Sequence, residues 1–148
     1  MKRKSKVSMG TVVDMQAMEL RCKAFHPDCM MLSVPGDGDC LATSLIMVLG
    51  LKVDIAMLRQ EVAQSLETDP LFARMRQGLI EMGEFEKVLE EIRTPGKWLG
   101  EEFLRAASVL FRVTIHIETP SGLRIVGDDN PQCIVLLAYN GVHYSPLL

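Results

Sequence analysis

The sequence lacks three features that would each restrict its function class. No run of apolar residues approaches the ~20 needed to span a bilayer, so we expect no membrane partner. The net charge is only −3, without the basic surface typical of nucleic-acid-binding domains, and we expect no nucleic-acid partner. Ser8, Gly10 and Asp14 interrupt any apolar core of an N-terminal secretion signal, so none is expected.

Cysteine is also scarce, and Cys22, Cys29, Cys40 and Cys133 show no disulfide-framework spacing. We therefore expect free thiols in a reducing, intracellular compartment, either the cytoplasm or a host cytoplasm. Zinc is the alternative for these thiols, since Cys22, His26 and Cys29 lie close together and Cys40 or Cys133 would complete four ligands. Their spacing does not follow a paired zinc-ligand pattern, so we expect no metal and no cofactor.

The chain has the composition of a single globular domain. Apolar residues make up 48% and charged residues 24% of its 148 residues, without a repeat or a low-complexity segment. The only basic cluster lies within residues 1–10, which we expect to form a flexible tail. Residues 11–148 are predicted to form one domain, and we expect it to be a monomer.

Hydrophobic periodicity predicts helices first and strands last. Helical spacing and helix-start signals predict helices over 11–24 and 40–49, and from about residues 54, 70, 85 and 100. The period then changes to two, which predicts strands over 111–118, 123–126, 133–138 and 143–147. This order favours an α/β fold of the α+β type, with a small central β-sheet flanked by helices.

A candidate nucleophile lies in the segment Pro35-Gly36-Asp37-Gly38-Asp39-Cys40-Leu41. Cys40 ends a glycine-rich turn and begins a predicted helix, where the helix dipole favours a thiolate. The glycines would let the amides of the Asp37–Cys40 turn face a ligand oxygen, as in an oxyanion hole. The alternative is that Cys40 only packs in the core, which is the default for the other three cysteines.

A candidate base lies in the segment Asn140-Gly141-Val142-His143. The Asn-Gly pair predicts a tight turn, after which His143 begins the last predicted strand. His143 would serve as the base if the fold brings it beside Cys40. The alternative is an exposed histidine on an edge strand, which we expect for His116. Taken together, the cysteine and the histidine indicate a cysteine peptidase.

Three segments of the chain resemble the ovarian-tumour (OTU) family of cysteine proteases. The cysteine segment is similar to its Gly-Asp-Gly-Asn-Cys-Leu motif, Trp98-Leu99-Gly100-Glu101 to its Trp-Gly-Gly-Glu motif, and Leu137–Leu147 to its final-strand motif. The resemblance implies a papain-type fold and hydrolysis of isopeptide bonds at the C-terminus of ubiquitin or a ubiquitin-like protein. It also implies that Cys40 is the nucleophile, His143 is the general base and Asp37 shapes the oxyanion turn, while Trp98 packs beneath the site.

The chain departs from this pattern at two positions beside the site. Ser145 stands where the family has Asn or Asp, the residue that orients the imidazole. Either Cys40 and His143 work as a dyad, or Asp37, Asp14 or a residue of Asp128-Asp129-Asn130 replaces it. Asp39 stands where the family has Asn, and its carboxylate should raise the pKa of the Cys40 thiol unless it points away.

These departures leave two alternatives to an active deubiquitinase. One is a catalytically weak ubiquitin-binding module, which Ser145 would explain. The other is a peptidase that processes a viral, phage or bacterial polypeptide rather than ubiquitin conjugates. Acidic side chains should contact the arginines of a ubiquitin tail, and the candidates are Glu101, Glu102, Asp128 and Asp129.

Overall fold

The structure, a computed structural model, describes residues 29–127 and 134–148. The predicted basic tail, the predicted helix over 11–24 and the candidate residues Asp14, Cys22, His26, Asp128, Asp129, Asn130 and Cys133 lie outside this part. The division into a tail and one domain therefore stays a prediction. No helix within the described ranges combines the length and apolar character needed to cross a membrane.

Local signals in the sequence place the helix ends. The described helices are α1 (Cys40–Leu49), α2 (Ile55–Thr68), a 3-10 turn (Pro70–Phe72), α3 (Ala73–Glu81), α4 (Phe85–Arg93) and α5 (Glu101–Phe111). Gly50 ends α1 in the left-handed conformation at φ 66°, which costs glycine little. The Asp54 carboxylate caps α2 by accepting the Met57 N–H at 2.8 Å.

The strands form one mixed, four-stranded sheet. They are β1 (Thr114–Thr119), β2 (Gly122–Val126), β3 (Ile134–Tyr139) and β4 (Tyr144–Leu147), in the order β2-β1-β3-β4. β3, which corresponds to the strand predicted over 133–138, runs parallel to β1 and antiparallel to β4 and is therefore an interior strand. Outside these strands, Met31 forms one isolated antiparallel bridge, to Leu147.

The main core lies between the five α-helices and one face of the sheet. It contains Leu45 and Leu58 from the helices and Ile115, Ile117 and Leu137 from the strands, all of them fully buried. A second, smaller cluster of Met31, Ala138 and Leu147 lies apart from the main core. The predicted α+β fold is confirmed. Its consequence for the site is that the start of α1 packs beside β4.

Candidate active site

The turn before α1 is closed by Asp37. The Asp37 carbonyl accepts the Cys40 N–H at 3.2 Å, and its Oδ1 accepts the Asp39 N–H at 3.0 Å. Cys40 is therefore held as the first residue of α1, while Asp37 itself is exposed. The amides of Asp39 and Cys40 therefore donate within the turn in this structure, and the oxyanion hole stays a prediction.

The turn before β4 is built by Asn140. Its Oδ1 accepts the N–H groups of Val142 at 2.9 Å and His143 at 2.8 Å, and its own N–H donates to the His143 carbonyl at 3.2 Å. The Tyr144 N–H then donates to the Cys40 Sγ at 3.4 Å. The fold thus brings together two segments that are 104 residues apart in sequence.

Burial controls the ionisation of the candidate pair. Cys40 and His143 are each only 1% exposed. Burial raises the pKa of the Cys40 thiol above its ordinary value; the Tyr144 N–H opposes this shift and the Asp37 carboxylate adds to it. Burial also lowers the pKa of His143, and here Asp37 opposes the shift. Both shifts favour a thiol and a neutral imidazole at neutral pH, opposite to the shift that the helix dipole alone would give Cys40.

The backbone of Val34 interacts with the His143 imidazole and raises its pKa against the effect of burial. In the part of the chain that the structure describes, neither ring nitrogen has a partner with full hydrogen-bond geometry. Ser145, two residues further along, is 1% exposed and lies in β4 opposite Ala138. Asp14 and the Asp128-Asp129-Asn130 segment lie outside the described residues, and Gly127 and Ile134, which flank that segment, lie at the opposite end of the sheet from His143.

This ionisation state predicts slow alkylation of Cys40 in the free protein. At pH 7 we expect iodoacetamide to modify Cys40 at least about tenfold more slowly than an unfolded cysteine, because the thiolate is the nucleophile. The rate should rise with pH to a midpoint above that of the unfolded chain. Mass mapping of peptides from the wild type and from Cys29→Ser, which lacks a partly exposed thiol, measures this. A fast rate that is constant between pH 6 and 8 would instead show a preformed thiolate.

Asp39 points away from the thiol. It precedes α1 without capping it, and its Oδ1 accepts the Arg59 Nε–H and the Gly96 N–H, each at 3.1 Å. Asp37, rather than Asp39, is the carboxylate that raises the pKa of Cys40. The charge that replaces the family's asparagine is therefore used in an ion pair with Arg59.

The structure corrects the role expected for Trp98. Its side chain is 56% exposed, so it does not pack beneath the site, whereas the neighbouring Leu99 is 8% exposed and belongs to the core. The alternation of side chains in the extended segment before α5 explains this exchange, since consecutive residues face opposite ways.

The structure also shows what surrounds two of the acidic side chains that were predicted to contact the substrate. Glu101 forms an ion pair with Arg124, and Glu102 lines an apolar groove beside Leu79 and Val109. Asp128 and Asp129 lie outside the described residues. Within residues 29–127 and 134–148, no three His, Cys, Asp or Glu side chains cluster closely enough to hold a metal ion.

A family comparison agrees with this arrangement. A model of OTU-like cysteine proteases matches residues 35–144, a range that includes both turns. The chain belongs to the OTU-like cysteine protease family. The resemblance in the three sequence segments is thereby confirmed.

Solved OTU structures share the fold. The OTU domain of OTUD1 superposes with a TM-score of 0.74 at 15% identity, covering 93% of this chain and 95% of that one. An OTU domain in complex with ubiquitin gives 0.67 at 18% identity, covering 80% and 69%. An OTU deubiquitinase from Wolbachia pipientis wMel bound to ubiquitin gives 0.61 at 16%, covering 82% and 96%. The sequence has no significant match among curated proteins.

Proposed function

We propose that this OTU protein is a deubiquitinase that hydrolyses isopeptide bonds at the C-terminus of ubiquitin or a ubiquitin-like protein. Cys40 is the nucleophile, His143 the general base, and Asp37 closes the oxyanion turn. The observation that carries the proposal is the 3.4 Å hydrogen bond from the Tyr144 N–H to the Cys40 Sγ, because it holds the residue after His143 against the thiol. A single domain over 11–148, acting as an intracellular monomer, is part of the proposal.

The proposed reaction begins from the neutral pair. His143 takes the thiol proton as the Cys40 sulfur attacks the carbonyl carbon of the isopeptide bond. The imidazolium then gives that proton to the leaving lysine amine, which leaves a thioester on Cys40. Water, deprotonated by His143, hydrolyses the thioester and releases the ubiquitin carboxylate. Because His143 acts in its neutral form and burial lowers its pKa, activity should persist below the ordinary histidine range near pH 6.5.

Exposed side chains on both sides of Cys40 suit a ubiquitin tail. Asp37 places a carboxylate at the site, which complements the arginines of such a tail. Trp98 and Val142, each 56% exposed, belong to the two segments that adjoin the cysteine turn and offer apolar contact. Two of the similar structures contain ubiquitin, which supports this choice of substrate.

Hydrolysis of a fluorogenic amide at the ubiquitin C-terminus tests the proposed function. We expect turnover of the ubiquitin substrate and none of the same fluorophore on an unrelated peptide. Equal turnover of both would favour the alternative of a peptidase with another polypeptide substrate. Absence of turnover, combined with measurable binding of ubiquitin, would favour the binding module, the second candidate, which Ser145 supports.

Ser145 gives a direct test of that second candidate. Restoring a side chain that accepts a hydrogen bond from the imidazole should raise kcat about three- to tenfold if the ring is poorly oriented. Ser145→Asp supplies the strongest acceptor, but the site is 1% exposed, so its charge will also lower stability. Ser145→Asn is the neutral comparison. If kcat per folded molecule stays constant or falls in both variants, another residue already orients His143.

A further inference from the structure

Arg59 is the charged side chain most deeply buried in the described chain. It lies on α2 with 0% exposure, beside the core residues Leu58 and Val62. Burial lowers the pKa of this guanidinium, with Asp39 and Asp37 opposing the shift. A buried cation is costly unless its charge and its N–H donors are satisfied, so the partners of Arg59 indicate what it is for.

The partners of Arg59 come from two separate segments. One is the turn before Cys40, where the Asp39 carboxylate accepts from Nε at 3.1 Å and the Gly38 carbonyl from a terminal nitrogen at 3.5 Å. The other is the loop between α4 and α5, where the carbonyls of Thr94 and Lys97 accept at 2.9 and 3.2 Å. The terminal nitrogen that donates to the Gly38 carbonyl also donates to the Lys97 carbonyl.

The two segments touch directly where Arg59 joins them. A Cβ at Gly38 would lie 1.7 Å from the Gly96 carbonyl oxygen, so the backbones are in contact and only glycine fits. The Gly96 N–H also donates to Asp39 at 3.1 Å. The nucleophile turn and the loop that leads to Trp98 are therefore held at a fixed separation.

We propose that Arg59 is a positioning residue that fixes the turn carrying Cys40 against the loop that leads to Trp98. The proposal rests on the proposed function, because the position of this turn matters for catalysis only if Cys40 is the nucleophile. The planar fork of Arg59 suits this task, since three nitrogens in fixed geometry donate to acceptors on both segments, whereas lysine presents a single nitrogen. Displacing a catalytic group by about 1 Å can cost about 100-fold in rate.

Arg59→Lys tests the proposal against a matched control. We expect kcat per folded molecule on the ubiquitin amide to fall about 10- to 100-fold. KM should change less than about threefold, because a protein substrate has many contacts beyond the Cys40 turn. Arg76→Lys is the control, since Arg76 also donates to backbone carbonyls, those of Leu66 and Asp69, away from the site. It should lower stability and leave kcat unchanged.

A pair of Asp39 variants separates hydrogen bonding from charge. Asp39→Asn keeps an oxygen that can accept from both Arg59 and Gly96, and the family motif carries this residue, so kcat should stay within about threefold. Asp39→Ala removes both bonds and should resemble Arg59→Lys. An unchanged kcat in Arg59→Lys, or an equal loss in Arg76→Lys, would overturn the proposal.

Amide hydrogen exchange provides an arm that does not need ubiquitin. In Arg59→Lys the Gly96 amide should exchange at least about tenfold faster than in the wild type, with the amides of α2 and α5 unchanged. Unchanged exchange at Gly96 would overturn the proposal. If the wild type shows no ubiquitin hydrolysis, the proposed function fails, and this arm alone decides whether Arg59 holds the two segments together.

Discussion

Replacing Cys40 with alanine is expected to lower turnover of ubiquitin substrates by about 10⁴-fold or more, to the level of the uncatalysed control. The reason is that the thioester step has no substitute nucleophile, and loss of a catalytic nucleophile in comparable hydrolases costs this much or more. Steady-state hydrolysis of the fluorogenic ubiquitin amide measures the effect. Residual turnover within 100-fold of the wild type would mean that Cys40 is not the nucleophile.

The fold should survive this substitution. Cys40 is buried, but alanine removes only the sulfur, so the expected loss is about 1 kcal/mol and a few degrees in Tm. The Tyr144 N–H loses its sulfur acceptor, which accounts for part of that cost. Cys29→Ala is the matched control because it removes another thiol of the described chain. It should retain full activity.

Replacing His143 with alanine is expected to lower kcat by about 10³-fold or more. The resting thiol is neutral because burial raises the pKa of Cys40, so the reaction depends on a base to remove its proton. Raising the pH should partly restore activity in this variant as the thiol ionises without help. A fall in kcat that is the same at every pH would contradict the assignment of His143 as the base.

The same variant makes a prediction about stability. Burial lowers the pKa of His143, so below about pH 6.5 the unfolded chain binds a proton that the folded chain does not. The free energy of unfolding of the wild type should therefore fall as the pH drops through this range. In His143→Ala that part of the loss should disappear. Urea denaturation of both proteins at pH 7 and pH 5 measures the difference, and identical pH dependence would contradict the burial of a neutral imidazole.

Most of the fold was accessible to sequence reasoning because its signals are local. Asp54 caps a helix and Gly50 ends one, as their positions in the sequence predict. The tight turn at Asn140 is also visible, since an Asn-Gly pair has few other conformations. The meeting of Cys40 with the residue after His143 depends on sheet topology, and the family resemblance, rather than any local pattern, indicates it.

The expectations that differ from the structure concern properties that depend on burial. Burial of Cys40 shifts its pKa in the direction opposite to the helix-end effect that the sequence suggests. The exposure of Trp98 reflects its side of an extended segment, which composition does not reveal. Arg59 was overlooked, although a signal exists: it precedes Val62 and Leu66 by three and seven residues and therefore lies on the buried face of α2.

The most direct test of the account is intact-mass analysis after exposure to ubiquitin that carries a C-terminal thiol-reactive group. The probe reports on the nucleophile, on assembly of the site and on recognition of ubiquitin in one step. The account predicts one adduct per wild-type molecule and none on Cys40→Ala. Absence of an adduct on the folded wild type, or an adduct that persists on Cys40→Ala, would contradict it.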